Sequence, residues 1–460
     1  MSIAIIGGGP GGLAVAKALT LEPNSEKLFP TIDVYERHPR AGGLWVYTGD
    51  KSHVSPVVPS PSNAESDEIF ANTQKRYISP IYDQMETNIT KHLMKYKGFP
   101  FPEEFETFPT RTQIGQYVDS YAQALPDLVK FHFSTDVTGL LKKDGKWELT
   151  YDDLTKANGE PITKTYDNVV LAQGHFEAAY IPDVKGLKEW WTKDPKSITH
   201  AKYYNNGEPF RGKNVLVVGN SASGIDIATQ LITTAKSVTM SSASESPFKE
   251  VIISHVTQVG KIAEYDYATK SAVTEDGTVV KDIDNVIFCT GYLYKIPFLN
   301  SYDTGDKALV SDGSQLRYLF EQIFYIEDPT LALVLVPQSV IPFPFAECQA
   351  QYIARVFSGR LKLPSKEKMT EEYEEELERK GAGKAFHTMK NFTDPDYCNH
   401  IFDLIKGTEN EGFVAEYWSD ERKEERKNAV ALKGERLKLI VKHADELKKE
   451  GKPFTLLRNN

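Results

Sequence analysis

One local pattern occurs twice in this chain, and it decides the fold class. Each copy is a short β-branched apolar run, a turn of small residues and an apolar-faced helix. The first is Ile3-Ala4-Ile5-Ile6, then Gly7-Gly8-Gly9-Pro10-Gly11-Gly12, then Leu13 to Leu19. The second is Val215-Leu216-Val217-Val218, then Gly219-Asn220-Ser221-Ala222-Ser223-Gly224, then Ile225 to Leu231. A strand that feeds a helix through such a turn opens a βαβ nucleotide-binding unit. Two copies in 460 residues predict an α/β protein with two dinucleotide-binding, Rossmann-like domains, a length ample for both.

In the first copy Gly7 permits the tight turn, Gly9 lets a pyrophosphate approach bare backbone, and Gly12 lets helix and strand pack closely. The helix start adds unpaired N–H groups and the positive end of its dipole. A second strand, Ile32-Asp33-Val34-Tyr35, ends in Glu36, 24 residues after Gly12. Its carboxylate suits ribose hydroxyls and repels a 2′-phosphate, so FAD or NAD fits better than NADP.

The second copy replaces the middle glycine by Ser221, a small residue whose hydroxyl can reach phosphate. Gly219, Ser221, Ser223 and Gly224 are its candidate nucleotide contacts. Aligned on the first copy, the acid position falls at Ser241, after the run Ser237–Met240. Without a carboxylate there a 2′-phosphate is tolerated, which favours NADPH. Glu245 and Lys249 are the nearest charged residues downstream.

Composition excludes other classes. Lys+Arg 54 against Asp+Glu 64 leaves a net charge of −10, unsuited to nucleic acid. Cys289, Cys348 and Cys398 form no CxxC pair, so neither a zinc knuckle nor a redox disulfide motif is visible, and no metal is expected. The apolar run after Met1 is too short for a signal peptide, and no run reaches membrane-spanning length. The expectation is a cytoplasmic protein, soluble or peripheral on the cytosolic face of a membrane, and compatible with a homo-oligomer. The Asn-x-Thr patterns at Asn88 and Asn391 then arise by chance. Residues 50–66 read as a loop. Thr112 is placed to cap a helix carrying Ile114, Tyr117, Val118, Tyr121 and Leu125. Residues 131–135 and 147–151 suggest an antiparallel hairpin. The charged stretches Lys366–Lys380 and 420–450 suggest exposed amphipathic helices.

Further segments form an ordered set. Gly42-Gly43-Leu44-Trp45 follows Glu36. Thr87-Asn88 precedes Phe99-Pro100-Phe101-Pro102. His200-Ala201-Lys202-Tyr203-Tyr204 and Pro209-Phe210-Arg211-Gly212-Lys213 precede the second glycine turn. Cys289-Thr290-Gly291-Tyr292 leads to Pro297-Phe298, and Glu347-Cys348-Gln349-Ala350 to Arg355-Val356-Phe357. Together they resemble the flavin-containing monooxygenase family, of the fungal type, over residues 1 to about 365. The family signature FxGxxxHxxx(Y/F) keeps His200 and Tyr204, with Asp194 and Lys196 at its Phe and Gly positions.

The resemblance implies an FAD domain of residues 1–175 and 295–460, with an NADPH domain, 176–294, inserted. It implies NADPH-dependent oxygenation of soft nucleophiles (thiols, sulfides, amines), with small thiols favoured and O2 as co-substrate. The route would be a flavin C4a-hydroperoxide sheltered by NADP+. Asn88 is the implied catalytic donor, since an amide offers a hydrogen bond without a titrating proton. Leu44, Trp45, Val137 and Gln349 are implied near FAD and Tyr204 near NADPH, with His200 a structural link. Tyr204, where a Trp would suggest a Baeyer–Villiger oxygenase, leans towards N- or S-oxygenation. A flavin-dependent NADPH oxidase or disulfide reductase is the other alternative; the reductase needs a reactive cysteine pair. The polar C-terminus, Thr455 to Asn460, is too short for a membrane anchor.

Overall fold

Both predicted strand–turn–helix units form, and each sits among parallel strands in the middle of its own sheet. The computed structural model describes residues 1–60, 77–156, 159–246, 248–252, 254–302 and 305–458. Residues 61–66 of the expected loop, and Asn459 and Asn460 of the tail, lie outside the described residues. The chain divides into two compact units: 1–46, 89–175 and 294–427; and 47–88, 176–293 and 428–460.

The first unit holds a seven-stranded sheet. Its strands run in the order Leu319–Phe320, Phe324–Tyr325, Leu331–Leu333, Asn168–Leu171, Ser2–Ile6, Thr31–Tyr35, Val129–His132. The last five are parallel. Ser2–Ile6 is central and nearly all buried, as its unbroken apolar run requires. Helices Pro10–Thr20 and Pro342–Phe357 pack on this sheet layer. The hairpin differs from expectation. Val129–His132 joins the parallel sheet beside Thr31–Tyr35, and Lys146–Asp153 pairs instead with Thr135–Lys143. The helix before it is Arg111–Gln123, capped by Thr110 and not Thr112. The Thr110 side chain accepts from Gln113 N and the Gln113 side chain from Thr110 N, a complete capping box.

The second unit holds a five-stranded parallel sheet in the order Val256–Val259, Ser237–Ser241, Asn214–Val218, Asn285–Phe288, Ile198–His200. The sequence assigns 47–88 and 428–460 to the first domain; both cluster with the second unit instead. The reason is apolar. In the helix Asp420–Lys449, residues Leu437, Ile440, Val441, Ala444 and Leu447 recur at helical spacing. They join the core of Val215, Val217, Ile225, Ile227 and Leu231, with Tyr82 from the other segment. The dense charge of this stretch therefore hides a buried face. No helix of the described residues is long and apolar enough to cross a membrane.

Candidate functional site

In the first glycine turn, Gly7 has φ +114°, and a Cβ there would meet Ala172 O at 2.3 Å. A Cβ on Gly12 would lie 2.0 Å from Gly7 O. Gly9 faces Gly43, where a Cβ would meet the Gly9 Cα at 2.8 Å. Two bare backbone segments thus touch at the helix start. No side chain caps the helix at Gly9, so its first-turn N–H groups remain available to an anion.

Glu36 is buried at the end of its strand. Its Oε2 accepts from Gly8 N at 2.8 Å and its Oε1 from His38 N at 2.9 Å. Burial pushes its carboxyl up, while the His38 N–H, the Arg37 charge and the Gly8 N–H pull it down. Leu44 and Trp45 sit half-buried in the tight turn Gly43–Trp45. Val137 lies in the core at a β-bulge between Val137 and Gly139. Gln349 is fully buried, and both ends of its amide are bonded: Oε1 accepts from Leu335 N at 2.8 Å and Nε2 donates to Tyr397 Oη at 3.0 Å. It fixes the Leu335 backbone, whose side chain lies against Gly11.

The second turn repeats the backbone bonds of the first. Gly7 N donates to Tyr35 O and Gly219 N to Ser241 O, both at 2.8 Å. Glu36 N donates to His132 O at 2.9 Å and Ser242 N to Val259 O at 3.2 Å. A Cβ on Gly224 would lie 2.0 Å from Gly219 O, as for Gly12 and Gly7. The equivalence corrects the alignment by one residue: Ser242, not Ser241, holds the place of Glu36. Ser241 is the last residue of its strand, fully buried, with its hydroxyl donated to Gly260 O at 2.8 Å. The apolar run ends one residue earlier, at Met240, so the last residue of the strand is polar. The position still lacks a carboxylate. Ser221 is exposed at the N-cap of the helix Ala222–Leu231 without capping it, and Ser223 is half-buried in its first turn.

Tyr204 is not at this turn. It is 1% exposed, stacked with Phe210 and edge-on to Tyr82, and its hydroxyl donates to Gln230 Oε1 at 3.1 Å. It is a core residue bonded to the helix Ala222–Leu231. His200 is likewise fully buried, with Nδ1 accepting from Lys202 N at 3.0 Å. The three cysteines are buried and free, and burial pushes the Cys289 and Cys398 thiols up, away from reactivity. No group of three or more metal-ligating side chains occurs among the described residues.

Asn88 lies exposed in a bend, immediately after the buried pair Glu86 and Thr87. Glu86 meets Lys433 Nζ at 2.8 Å and Arg436 Nη2 at 2.9 Å. Tyr82 donates to Asp226, whose carboxyl burial pushes up to about 6 against the pull of Lys433 and Tyr82. The sequence gives no sign of these pairs, because Glu86 and Lys433 are 347 positions apart and Lys433 sits in a stretch that reads as an exposed helix.

The flavin-binding monooxygenase-like family profile matches residues 68–260 and 245–411. A yeast (Saccharomyces cerevisiae) thiol-specific monooxygenase is 33% identical over 99% of this chain and 97% of its own length. The chain belongs to the flavin-binding monooxygenase-like family. Residues 5–60 also match an NAD(P)-binding Rossmann-like domain. An Arabidopsis thaliana flavin-containing monooxygenase, GS-OX-like 9, is 29% identical over 88% of this chain and 86% of its own. Among solved structures, S-allyl-L-cysteine S-oxygenase from Allium sativum shares the fold. Its TM-score is 0.75, at 24% identity over 98% of both chains. This monooxygenase uses FAD and NADPH, and its residues fit them. Both glycine turns leave a helix start uncapped beside backbone that a Cβ would obstruct.

Proposed function

We propose that this enzyme oxygenates the sulfur of small thiols. The balance is RSH + O2 + NADPH + H⁺ → RSOH + NADP⁺ + H2O. The full-length likeness to a thiol-specific monooxygenase carries the substrate class. When bound, FAD accepts the hydride of NADPH and activates O2.

The chain's own residues bind, orient and protect. Gly7, Gly9 and Gly12 hold the FAD pyrophosphate, and Glu36 fixes the turn and accepts from the ribose. Gly219, Ser221, Ser223 and Gly224 hold the NADPH pyrophosphate. At Ser242 no carboxylate opposes the 2′-phosphate, which favours NADPH over NADH. Leu44 and Trp45 line the flavin and keep water from it. Asn88 donates a hydrogen bond to the activated oxygen, and as an amide it brings no proton that would release H2O2. Cytosol is the compartment that suits three unpaired thiols.

The test offers free cysteine, methionine and trimethylamine in turn and follows NADPH and product. A thiol-dependent rate with oxygenated sulfur is expected. Preferred turnover of the amine would overturn the substrate class.

A further inference from the structure

Asn88 itself is exposed, yet the chain just before it is bound on two sides within the second unit. On one side the carboxylate of Glu86 faces two cations. Lys433 Nζ reaches Oε1 at 2.8 Å, and Arg436 reaches Oε2 through Nη2 at 2.9 Å and Nε at 3.2 Å. Lys433 Nζ also donates to Thr87 O at 3.0 Å, the carbonyl whose peptide bond leads into Asn88. Glu86, Lys433 and Arg436 are all under a tenth exposed. Buried ion pairs are a poor source of stability, since apolar residues of similar size do as well or better; their best-attested use is to fix one arrangement.

On the other side the same segment hangs on the helix Ala222–Leu231. Tyr82 donates its hydroxyl to Asp226 Oδ2. Gln230 Nε2 donates to Gln84 O at 2.8 Å and to Asp226 Oδ2 at 3.2 Å. Gln84 Oε1 accepts from Leu456 N at 3.0 Å, tying in the C-terminal tail. Asp226 and Gln230 are one turn apart and share a face. The start of this helix is the second glycine turn.

We propose that Tyr82, Gln230, Lys433 and Arg436 are positioning residues that hold Asn88 and couple its placement to nucleotide at the second glycine turn. The proposal rests on the reading of Asn88 as the oxygen-directed donor. A ten-residue helix moves as a unit, so a displacement at its start reaches Tyr82 and Gln84. The Glu86 lock then carries that displacement to Asn88 instead of letting the bend absorb it.

Amide hydrogen exchange over residues 82–90 tests this in the FAD-loaded enzyme, with and without NADP⁺. H2O2 released per NADPH is measured alongside, with Asn88→Ala as reference. NADP⁺ is expected to slow exchange about fivefold or more, the lower end of ordinary coupling between sites. That protection should vanish in Tyr82→Phe and Lys433→Met, and both should leak more H2O2 while keeping the parent's FAD content and anaerobic flavin reduction. Lys433→Arg should restore protection and coupling. Unchanged exchange and unchanged H2O2 in both variants, beside a leaky Asn88→Ala, overturn the coupling and leave the Asn88 reading standing. A tight Asn88→Ala overturns that reading and the proposal with it. Should Lys433→Met fail to hold flavin, Tyr82→Phe decides, because it removes one hydroxyl only.

Discussion

Glu36 Oε2 accepts the backbone N–H of Gly8 at 2.8 Å. The acid at the end of the second strand is thereby part of the glycine turn, and shapes it. A hydrogen bond to a charged group contributes about 1.5–3 kcal/mol. Glu36→Ala should therefore weaken FAD binding by about tenfold to a hundredfold. Flavin fluorescence released on dilution measures this. Unchanged retention would show that the turn needs no such tie.

Gly224→Ala separates the two nucleotide sites. Its Cβ would fall 2.0 Å from Gly219 O, which is main chain and cannot swing aside. Overpacking of this kind costs about 1–3 kcal/mol. The variant should keep its yellow colour and show a raised KM for NADPH. Loss of FAD with an unchanged KM for NADPH would reverse the assignment of the two turns.

Ser242→Asp places a carboxylate where the first copy has Glu36. At about 4 Å and the effective dielectric of a protein surface, two unit charges repel by roughly 4 kcal/mol. Even a fraction of this should cut kcat/KM for NADPH by about tenfold while NADH is spared. The same substitution at Ser241 would bury a charge instead and should cost stability, because Ser241 is fully buried. Steady-state rates with each nucleotide, together with thermal melts, distinguish the two positions.

Glu347 gives a pH test of the first unit. Burial in the helix Pro342–Phe357 pushes its carboxyl up to about 8, although the Lys97 N–H, Lys17 and Lys97 pull it down. Its Oε2 accepts from Lys97 N at 2.9 Å. The unfolded chain releases this proton near 4.5. Between about 4.5 and 8 the folded state thus holds a proton that the unfolded state does not, so stability falls as pH rises. The contribution is full below 4.5 and lost above 8. Glu347→Gln should match the parent in acid and exceed it in alkali, as urea midpoints across this range would show. Parallel curves would mean that Glu347 does not titrate in this window.

The strands, the turns and their glycines could be read from sequence because each is local. Gly7, Gly12, Gly219 and Gly224 announce themselves by spacing; a Cβ on Gly12 or Gly224 would meet Gly7 O or Gly219 O within the same turn, whereas one on Gly7 or Gly219 would meet Ala172 O or Cys289 O, which only the fold brings there. What escaped depends on long-range packing. Ser242 was missed by one position because the polar Ser241 ends a buried strand. Tyr204 and Gln349 match a family pattern, and their bonds to Gln230, Leu335 and Tyr397 appear only in the fold. Lys433 and Arg436 looked like two more charges on a solvated helix. Only the fold brings Glu86 to them, which also explains why the second unit claims 47–88 and 428–460.

Isotope transfer from molecular oxygen reaches the central claim most directly. The enzyme is loaded with FAD, supplied with NADPH and cysteine, and run under ¹⁸O2. One labelled oxygen atom in the sulfur product for each NADPH consumed is the expected result. Label recovered only as H2O2, with unlabelled sulfur, would contradict monooxygenation and leave an NADPH oxidase.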